Sequence, residues 1–174
     1  MPNWVNNSVG ITFDNKERYE KLKLKYEASN EFFNTICPRP KEFDEGWYAW
    51  NMSNWGTKWE EKDCELTFDD ENYVISGIFN TAWGPPIEVY KLLVLNWDAD
   101  VEANYYEPGM EFCGLFINTK IGVDINISYD FKEFKEYVDD IGANNLNEYE
   151  KELFEIVECM IIDEDEDKDK DKDD

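Results

Sequence analysis

Residues 47–59 read WYAWNMSNWGTKW, a run that holds four of the seven tryptophans in the chain. Burying one aromatic side chain removes roughly 150 to 250 Å² from water, so this segment must pack against the rest of the domain or against a partner. A short helix ending at Gly56, where glycine allows a helix-terminating conformation, would carry three of its side chains on one side. Those side chains are Trp47, Trp50 and Asn54. The segment is therefore predicted to be an anchor of the fold.

Hydrophobic periodicity on both sides of this run predicts strands and helices. Residues 5–13 alternate apolar and polar positions, which is typical of a strand with one buried face. Residues 16–28 carry an apolar stripe at helical spacing behind a polar capping residue. Residues 64–68 and 73–80 flank an acidic turn and predict an antiparallel hairpin. The stretch between the first helix and this hairpin, residues 30–62, is then an ordered insertion.

The second half of the chain adds another helix and three more strands. Two consecutive prolines end the hairpin and open a helix over residues 87–96, because proline suits the first helical turn. A strand follows at residues 101–106. Residues 111–118 are apolar on both faces, which predicts a central strand. Residues 121–129 alternate cleanly, which predicts a strand at the edge of the sheet with one buried face.

Two amphipathic helices, whose apolar stripes begin at Phe131 and Leu146, are predicted to close the fold. The resulting order predicts an α+β fold: a ferredoxin-like βαββαβ core with a Trp-rich insertion, an extended antiparallel sheet and two C-terminal helices. We expect residues 1–129 to form the ferredoxin-like domain and residues 130–162 a helical extension. Residues 163–174 alternate acids with lysines and are expected to form a disordered acidic tail.

Acidity dominates the composition. The chain has 41 Asp and Glu against 17 Lys and Arg, a net charge of −24, of which −18 lies outside the tail at residues 163–174. A body this negative is repelled by nucleic-acid phosphates and by anionic membranes, so direct DNA binding and membrane association are disfavoured. It would attract and steer a basic protein partner, although the same charge could serve solubility alone. Five cations cluster on the first predicted helix, as a solvated face or a binding patch.

The residue inventory argues against most catalytic chemistry. The chain has no histidine, which excludes the commonest general base and the Ser-His and Cys-His nucleophile pairs. Its four cysteines are widely spaced and form no zinc motif. We therefore expect no enzyme activity and no cofactor, with a carboxylate-bound metal centre as the catalytic alternative. Because the sequence has no signal peptide and no apolar run of membrane-spanning length, a cytosolic protein with reduced thiols is expected.

A candidate binding pocket emerges where the insertion, a strand end and a turn could converge at one end of the sheet. Aromatic walls with a few polar groups are typical of ligand pockets. The candidate residues are Trp50, Asn54, Trp55, Thr57, Lys58, Trp83 and Glu107. The alternative is that the tryptophans only fix the insertion to the sheet as part of the core.

Several short motifs carry a family resemblance. They are MPNWVNN at 1–7, FNTI at 33–36, WYAW at 47–50, NWGTKW at 54–59, TAWGPP at 81–86 and YYEPG at 105–109. In this order they resemble the YubB family, proteins with a ferredoxin-like domain that are carried by plasmids and phages. The resemblance spans about residues 1–122 and implies a fold and a mobile-element context, but no reaction. Gly84 stands where many members have Ser, which removes a hydroxyl from the candidate pocket.

These observations lead to two functional hypotheses. The first is an acidic binding protein, encoded by a phage or plasmid, that inhibits a host nucleic-acid-binding defence protein such as a CRISPR effector or a nuclease. It would act by nucleic-acid mimicry, because spaced carboxylates can stand in for phosphates. The alternative is a module that binds a small ligand or single-stranded nucleic acid. That module would stack bases on tryptophans 47, 55, 59 and 83 beside Lys58.

Overall fold

The computed structural model describes residues 3–146, 150–151 and 153–158. The strands are β1 (Trp4–Thr12), β2 (Lys62–Asp69), β3 (Val74–Ala82), β4 (Asp100–Glu107), β5 (Phe112–Asn118) and β6 (Asp124–Asp130). The helices are α1 (Lys16–Ser29), α2 (Phe32–Ile36), α3 (Trp47–Asn54), α4 (Ile87–Trp97) and α5 (Phe131–Ile141). Short 3-10 turns lie at Lys41–Phe43 and Ala143–Asn145, and the described residues of 150–158 are also helical.

All six strands form one antiparallel sheet in the order β2-β3-β1-β4-β5-β6. Strand β1 lies between β3 and β4 and pairs antiparallel with both. The first four strands, with α1 and α4 as their two crossover helices, have the ferredoxin-like arrangement. Strands β5 and β6 extend this sheet by antiparallel pairing at the β4 side. The predicted α+β fold with a ferredoxin-like core and an extended sheet is confirmed.

Helix α1 forms where its cap and its apolar stripe predict it. The Asn15 side chain accepts a hydrogen bond from the Arg18 backbone N–H at 3.1 Å and so caps the first turn. Tyr19, Leu22 and Tyr26 are buried along one side of the helix, where they face the core. The helix ends at residue 30, which adopts a left-handed conformation with φ of 55°.

Two hydrophobic cores lie on opposite faces of the sheet. The larger core joins side chains from α1, α2 and α4 to one face, and it includes Phe116 of β5. The second core joins α5 and the helical residues 153–158 to Cys113 and Leu115 of the same strand. Because neighbouring residues of a strand point to opposite faces, β5 is covered on both sides. The prediction of a central, doubly buried strand at this position is thus explained by two offset helical layers.

The last strand begins later than its alternation predicts. Residues 119–123 form a turn in which the Gly122 N–H donates to the Thr119 carbonyl at 3.0 Å, and Gly122 has φ of 96°. Ile121 is consequently 89% exposed, although its place in the alternating pattern predicted burial. The prediction of a strand from residue 121 was wrong, and β6 starts at residue 124, as the edge of the sheet. The predicted tail at residues 163–174 lies outside the described residues.

Other features of the described chain bear on its chemistry. Cys37, Cys64 and Cys113 are free thiols, while Cys159 lies outside the described residues. No helix in the described ranges combines the length and the apolar character needed to cross a bilayer.

Candidate functional site

Three of the motif segments meet at one end of the sheet through hydrogen bonds. The Thr57 hydroxyl donates to the Ala82 carbonyl at 3.1 Å, and the Lys58 backbone N–H donates to the same oxygen at 3.3 Å. On the other side, the Trp83 backbone N–H donates to the Asn3 carbonyl at 3.0 Å. The insertion, the end of β3 and the start of β1 are therefore tied together.

A lysine between two tryptophan rings marks the surface of this region. Lys58 Nζ lies 4.1 Å from the ring centroid of Trp83 and 4.7 Å from that of Trp59, distances typical of cation–π contacts. Trp83 has φ of 75°, an unusual conformation for a residue with a side chain, and its ring is 46% exposed. Tyr48 of α3 borders the same ring at 6.3 Å between centroids.

We call this region, with the buried residues directly beneath it, the aromatic end. Its members are Trp4, Tyr48, Trp50, Trp55, Thr57, Lys58, Trp59 and Trp83. The buried layer of the aromatic end is inaccessible to a ligand, because Trp55 and Thr57 are both fully buried. The Trp55 indole N–H donates to the Cys37 carbonyl at 3.0 Å, and its ring meets Trp50 edge-on at 5.3 Å. These contacts fix the insertion to the core, whereas Lys58 and Trp83 stay accessible to a partner.

The last two predicted pocket residues hold local structure. The Asn54 amide donates to the Trp50 carbonyl at 2.8 Å, within the last turn of α3. Glu107 is only 3% exposed, and its carboxylate accepts hydrogen bonds from the backbone N–H groups of Gly109 and Met110. The Glu107 carboxylate therefore stabilises the turn after β4.

A buried hydrogen-bond network explains two motifs without any ligand. The Asn7 amide donates to Thr81 Oγ1 at 2.9 Å and to the Phe79 carbonyl at 3.3 Å. The Tyr90 hydroxyl donates to Asn7 Oδ1 at 3.4 Å, and complete burial raises the Tyr90 pKa well above its ordinary value. Thr81 Oγ1 in turn donates to the Gly84 carbonyl at 2.8 Å. Because buried polar groups require partners, this network accounts for the polar motif residues inside the sheet.

A second region, which we call the open face, was not predicted from the sequence. It consists of outward-pointing residues of β2, β3, β1 and β4, on the face opposite α1 and α4. These residues are Ser8, Gly10, Glu65, Thr67, Ser76, Ile78, Glu102 and Asn104. They line a groove that continues past Asp63 to Ile156 of the C-terminal helical segment. The signal was the polar alternation in all four strands, which becomes a surface only once their order is known.

Carboxylates are the charged groups of the open face. Glu65 and Glu102 are exposed, and so is Asp63, which lines the continuation of the groove near Glu65 and whose carboxylate accepts from the Asn80 amide at 3.2 Å. Within the described residues, no lysine or arginine lines the groove, and neither Glu65 nor Glu102 makes an ion pair. The described part of the groove therefore presents negative charge with no cation beside it.

Cations of α1, by contrast, are engaged within the molecule. Arg18 pairs with Asp98, and Lys23 Nζ lies 2.7 Å from Asp70 Oδ1. The ammonium groups of Lys21 and Lys25 lie 5.9 and 5.6 Å from the Trp97 ring centroid. Lys16 pairs with Glu20 on the same helix at 3.5 Å. The basic cluster that the sequence left open as a binding patch is thus occupied by internal partners.

The described cysteines and acids are candidate nucleophiles and metal ligands. Burial raises the pKa of Cys37, and it raises the pKa of Cys64 and of Cys113 to about 12 in each case. The thiolate is the reactive form of cysteine, so these three thiols, of which Cys113 is buried and Cys37 and Cys64 are half-buried, are poor nucleophiles. Within the described part of the chain, no group of three acids or cysteines could hold a metal ion. The prominent surface features of the described residues are the acidic groove and the aromatic end.

In a comparison with known protein families, residues 54–151 match the family model described as a ferredoxin-like domain in Api92-like protein. The matched region begins inside the tryptophan-rich run and covers more than half of the chain. It leaves out β1, which nevertheless lies inside the same sheet, between β3 and β4. No curated protein and no solved structure matched the chain. The chain therefore belongs to the family of ferredoxin-like domains found in Api92-like proteins.

Proposed function

We propose that this protein is an acidic binding protein that occupies a basic, nucleic-acid-binding surface of another protein. The observation that carries the proposal is the groove of the open face, where Asp63, Glu65 and Glu102 are exposed and no cation lines the described walls. Carboxylates spaced along such a surface can replace phosphates as partners for lysine and arginine. The proposed activity is therefore inhibition by nucleic-acid mimicry.

Charge also supports this choice of partner. The chain carries −24 overall, and the cations of α1 are already paired with acids or placed over an aromatic ring. A negative surface of this kind raises the association rate with a basic protein and repels DNA or RNA. A partner that normally holds nucleic acid presents the complementary surface.

The resemblance of the motifs to plasmid- and phage-borne proteins narrows the class of target. A mobile element benefits from blocking host proteins that cut or silence its nucleic acid. We therefore propose a host defence protein, such as a CRISPR effector or a nuclease, as the target. The protein would act in the host cytosol.

Competition binding tests this proposal. Candidate basic proteins of the host are mixed with a labelled oligonucleotide, and the acidic protein is titrated in. The expected result is displacement of the oligonucleotide, with an affinity that falls steeply as salt increases, since exposed charges are screened within about 10 Å at 0.1 M salt. Failure to displace the oligonucleotide from every candidate, or binding that is indifferent to salt, contradicts the proposal.

The aromatic end favours a second candidate function. Lys58 and the half-exposed Trp83 present a cation beside an aromatic surface. Such a surface can stack a base or a small aromatic ligand, and the cation can attract a phosphate of single-stranded nucleic acid. Anisotropy of a labelled oligonucleotide or nucleotide tests it directly. This candidate predicts saturable binding that Trp83→Ala weakens, and it is excluded if no binding occurs at low salt.

A further inference from the structure

We infer that the groove of the open face receives a basic amphipathic helix of the partner protein. This inference rests on the proposed function and names the element of the partner that it requires. The inference is based on the arrangement of side chains in the groove. An exposed apolar side chain lies between two carboxylates, above a floor of small residues. Ile78, which is 55% exposed, pairs with Glu65 on one neighbouring strand and with Ser8 on the other.

The shape of the groove fits a helix. Gly10 pairs with Ser76 of β3 and with Glu102 of β4, so the floor is made of small side chains with Glu102 at its far side. Four strands at about 4.8 Å spacing span roughly 14 Å, which accommodates a helix of about 10–12 Å diameter. Ile156 of the C-terminal helical segment borders the groove and forms part of one wall.

The chemistry of the groove defines the helix. An amphipathic helix binds a groove through an apolar stripe at i, i+3, i+4 and i+7, and here Ile78 is the exposed apolar contact. Lysine or arginine residues flanking that stripe would meet Glu65 on one side and Glu102 on the other. Because an acidic side chain lies on each wall, the bound helix must be basic along both flanks.

Charge excludes the other occupants. A second copy of the chain carries −24, and the C-terminal residues 163–174 carry −6, so both are repelled by the groove.

Addition of a strand at the β2 edge is also disfavoured. The pairing of β2 shifts register between Lys62 and Glu65, and Asp63 has φ of 50°, an irregularity that protects sheet edges from further pairing.

Two synthetic peptides of identical composition test the inference on the full-length protein. One is a lysine–leucine peptide of about 18 residues, five helical turns, with its leucines at helical spacing, and the other has the same residues in scrambled order. We expect the amphipathic peptide to bind about tenfold more tightly. Its amide chemical-shift changes should centre on Ser8, Gly10, Ser76 and Glu102. Equal affinities, or shifts centred on α1, the β2 edge or the aromatic end, overturn the inference.

Matched variants sharpen the test. Glu65→Gln with Glu102→Gln should weaken peptide binding about tenfold, whereas Glu17→Gln with Glu27→Gln, which removes the same charge from exposed positions of α1, should change it less than about twofold. Ile78→Ala should also weaken binding, while Leu24→Ala, which removes an exposed leucine from α1, should not. Equal losses from both charge pairs would show attraction by net charge alone and overturn the helix-in-groove inference.

The same variants separate this inference from the proposed function. If the wild-type protein displaces nucleic acid from a basic partner and the groove variants do so equally well, the groove inference fails and the mimicry proposal stands. If the wild-type protein displaces nucleic acid from no candidate, the mimicry proposal fails whatever the peptides do.

Discussion

The aromatic end and the open face lie on the same sheet but use their side chains in opposite ways. At the aromatic end, Trp55 and Thr57 are fully buried and hydrogen-bonded, and Lys58 is already flanked by two rings. On the open face, Glu65 and Glu102 are exposed and make no ion pair with any described residue. The motif-rich region is therefore largely committed to the fold, while the region without motifs is available for binding.

This difference teaches where function should be sought in such a chain. Aromatic motifs are conspicuous in sequence because burying a large ring demands specific partners around it. A binding surface made of short polar side chains has no such signature, because each strand contributes only two residues to it. Fold and site can thus be encoded by different parts of one sequence.

The largest expected effect comes from the centre of the aromatic end. Trp55→Ala removes a fully buried ring that packs on Phe33 and Trp50, so it should lower the free energy of unfolding by about 3–5 kcal/mol. Trp83→Ala removes a half-exposed ring and should cost about 1 kcal/mol, chiefly the contact with Lys58. Urea unfolding of both variants measures this. Similar losses of unfolding free energy in the two variants would mean that the buried and the exposed layers of the aromatic end support the fold equally.

A second pair of variants contrasts the closed and open sides of the sheet. A Cβ added at Gly114 would lie 2.3 Å from the Ile127 carbonyl oxygen and 2.3 Å from the Tyr105 hydroxyl, so Gly114→Ala should destabilise by about 1–3 kcal/mol. At Gly10, on the open face, the nearest atom is 3.9 Å away. Gly10→Ala should therefore change stability by less than about 0.5 kcal/mol in urea unfolding. Comparable costs at both positions would contradict an open groove floor.

The fold was predictable because its signals are local. The alternation in β1, the cap and stripe of α1 and the helical spacing around Trp50 each determine an element from neighbouring residues alone. The strand prediction failed at residues 121–123, where a turn has the alternating sequence pattern of a strand. Ile121 continues the alternation of β6, but Gly122 adopts a left-handed conformation, and hydrogen bonds within residues 119–123 stop the pairing.

The candidate site was less accessible to sequence reasoning. Convergence of the insertion with the end of β3 was predictable, but burial of Trp55 and Thr57 depends on the three-dimensional packing around them. The open face depends on strand order. Glu65 and Glu102 are far apart in sequence and share a surface only because β3 and β1 lie between their strands. No periodicity in one segment records that arrangement.

A third prediction concerns a carboxylate inside the insertion. Glu61 accepts hydrogen bonds from the backbone N–H groups of Phe32 and Phe33, yet desolvation raises its pKa above the ordinary value of 4.5. The unfolded chain therefore ionises first as pH rises, so this group destabilises the fold progressively from about pH 4.5 upward. The unfolding free energy of the wild type, relative to Glu61→Gln, should therefore fall as the pH rises above about 4.5.

Thermal or urea unfolding across that pH range measures the relative stability. Glu42→Gln, at an exposed position of the same insertion, provides the control and should show a much weaker trend. A wild type that gains stability over Glu61→Gln as pH rises would show that the backbone hydrogen bonds outweigh desolvation. In that case the Glu61 carboxylate would act as a favourable cap at the N-terminus of α2.

The smallest expected effect is on the open face itself. Glu65→Gln with Glu102→Gln should leave the free energy of unfolding within about 0.5 kcal/mol of wild type, because both groups are exposed and unpaired among the described residues. Removing two negative charges from a chain of −24 should, if anything, stabilise it by reducing self-repulsion. Urea unfolding at low and high salt measures the contribution of self-repulsion, because salt screens the repulsion between exposed charges. A loss above about 1 kcal/mol would mean that the carboxylates support the fold, and the contrast with Trp55 would then no longer mark a binding surface.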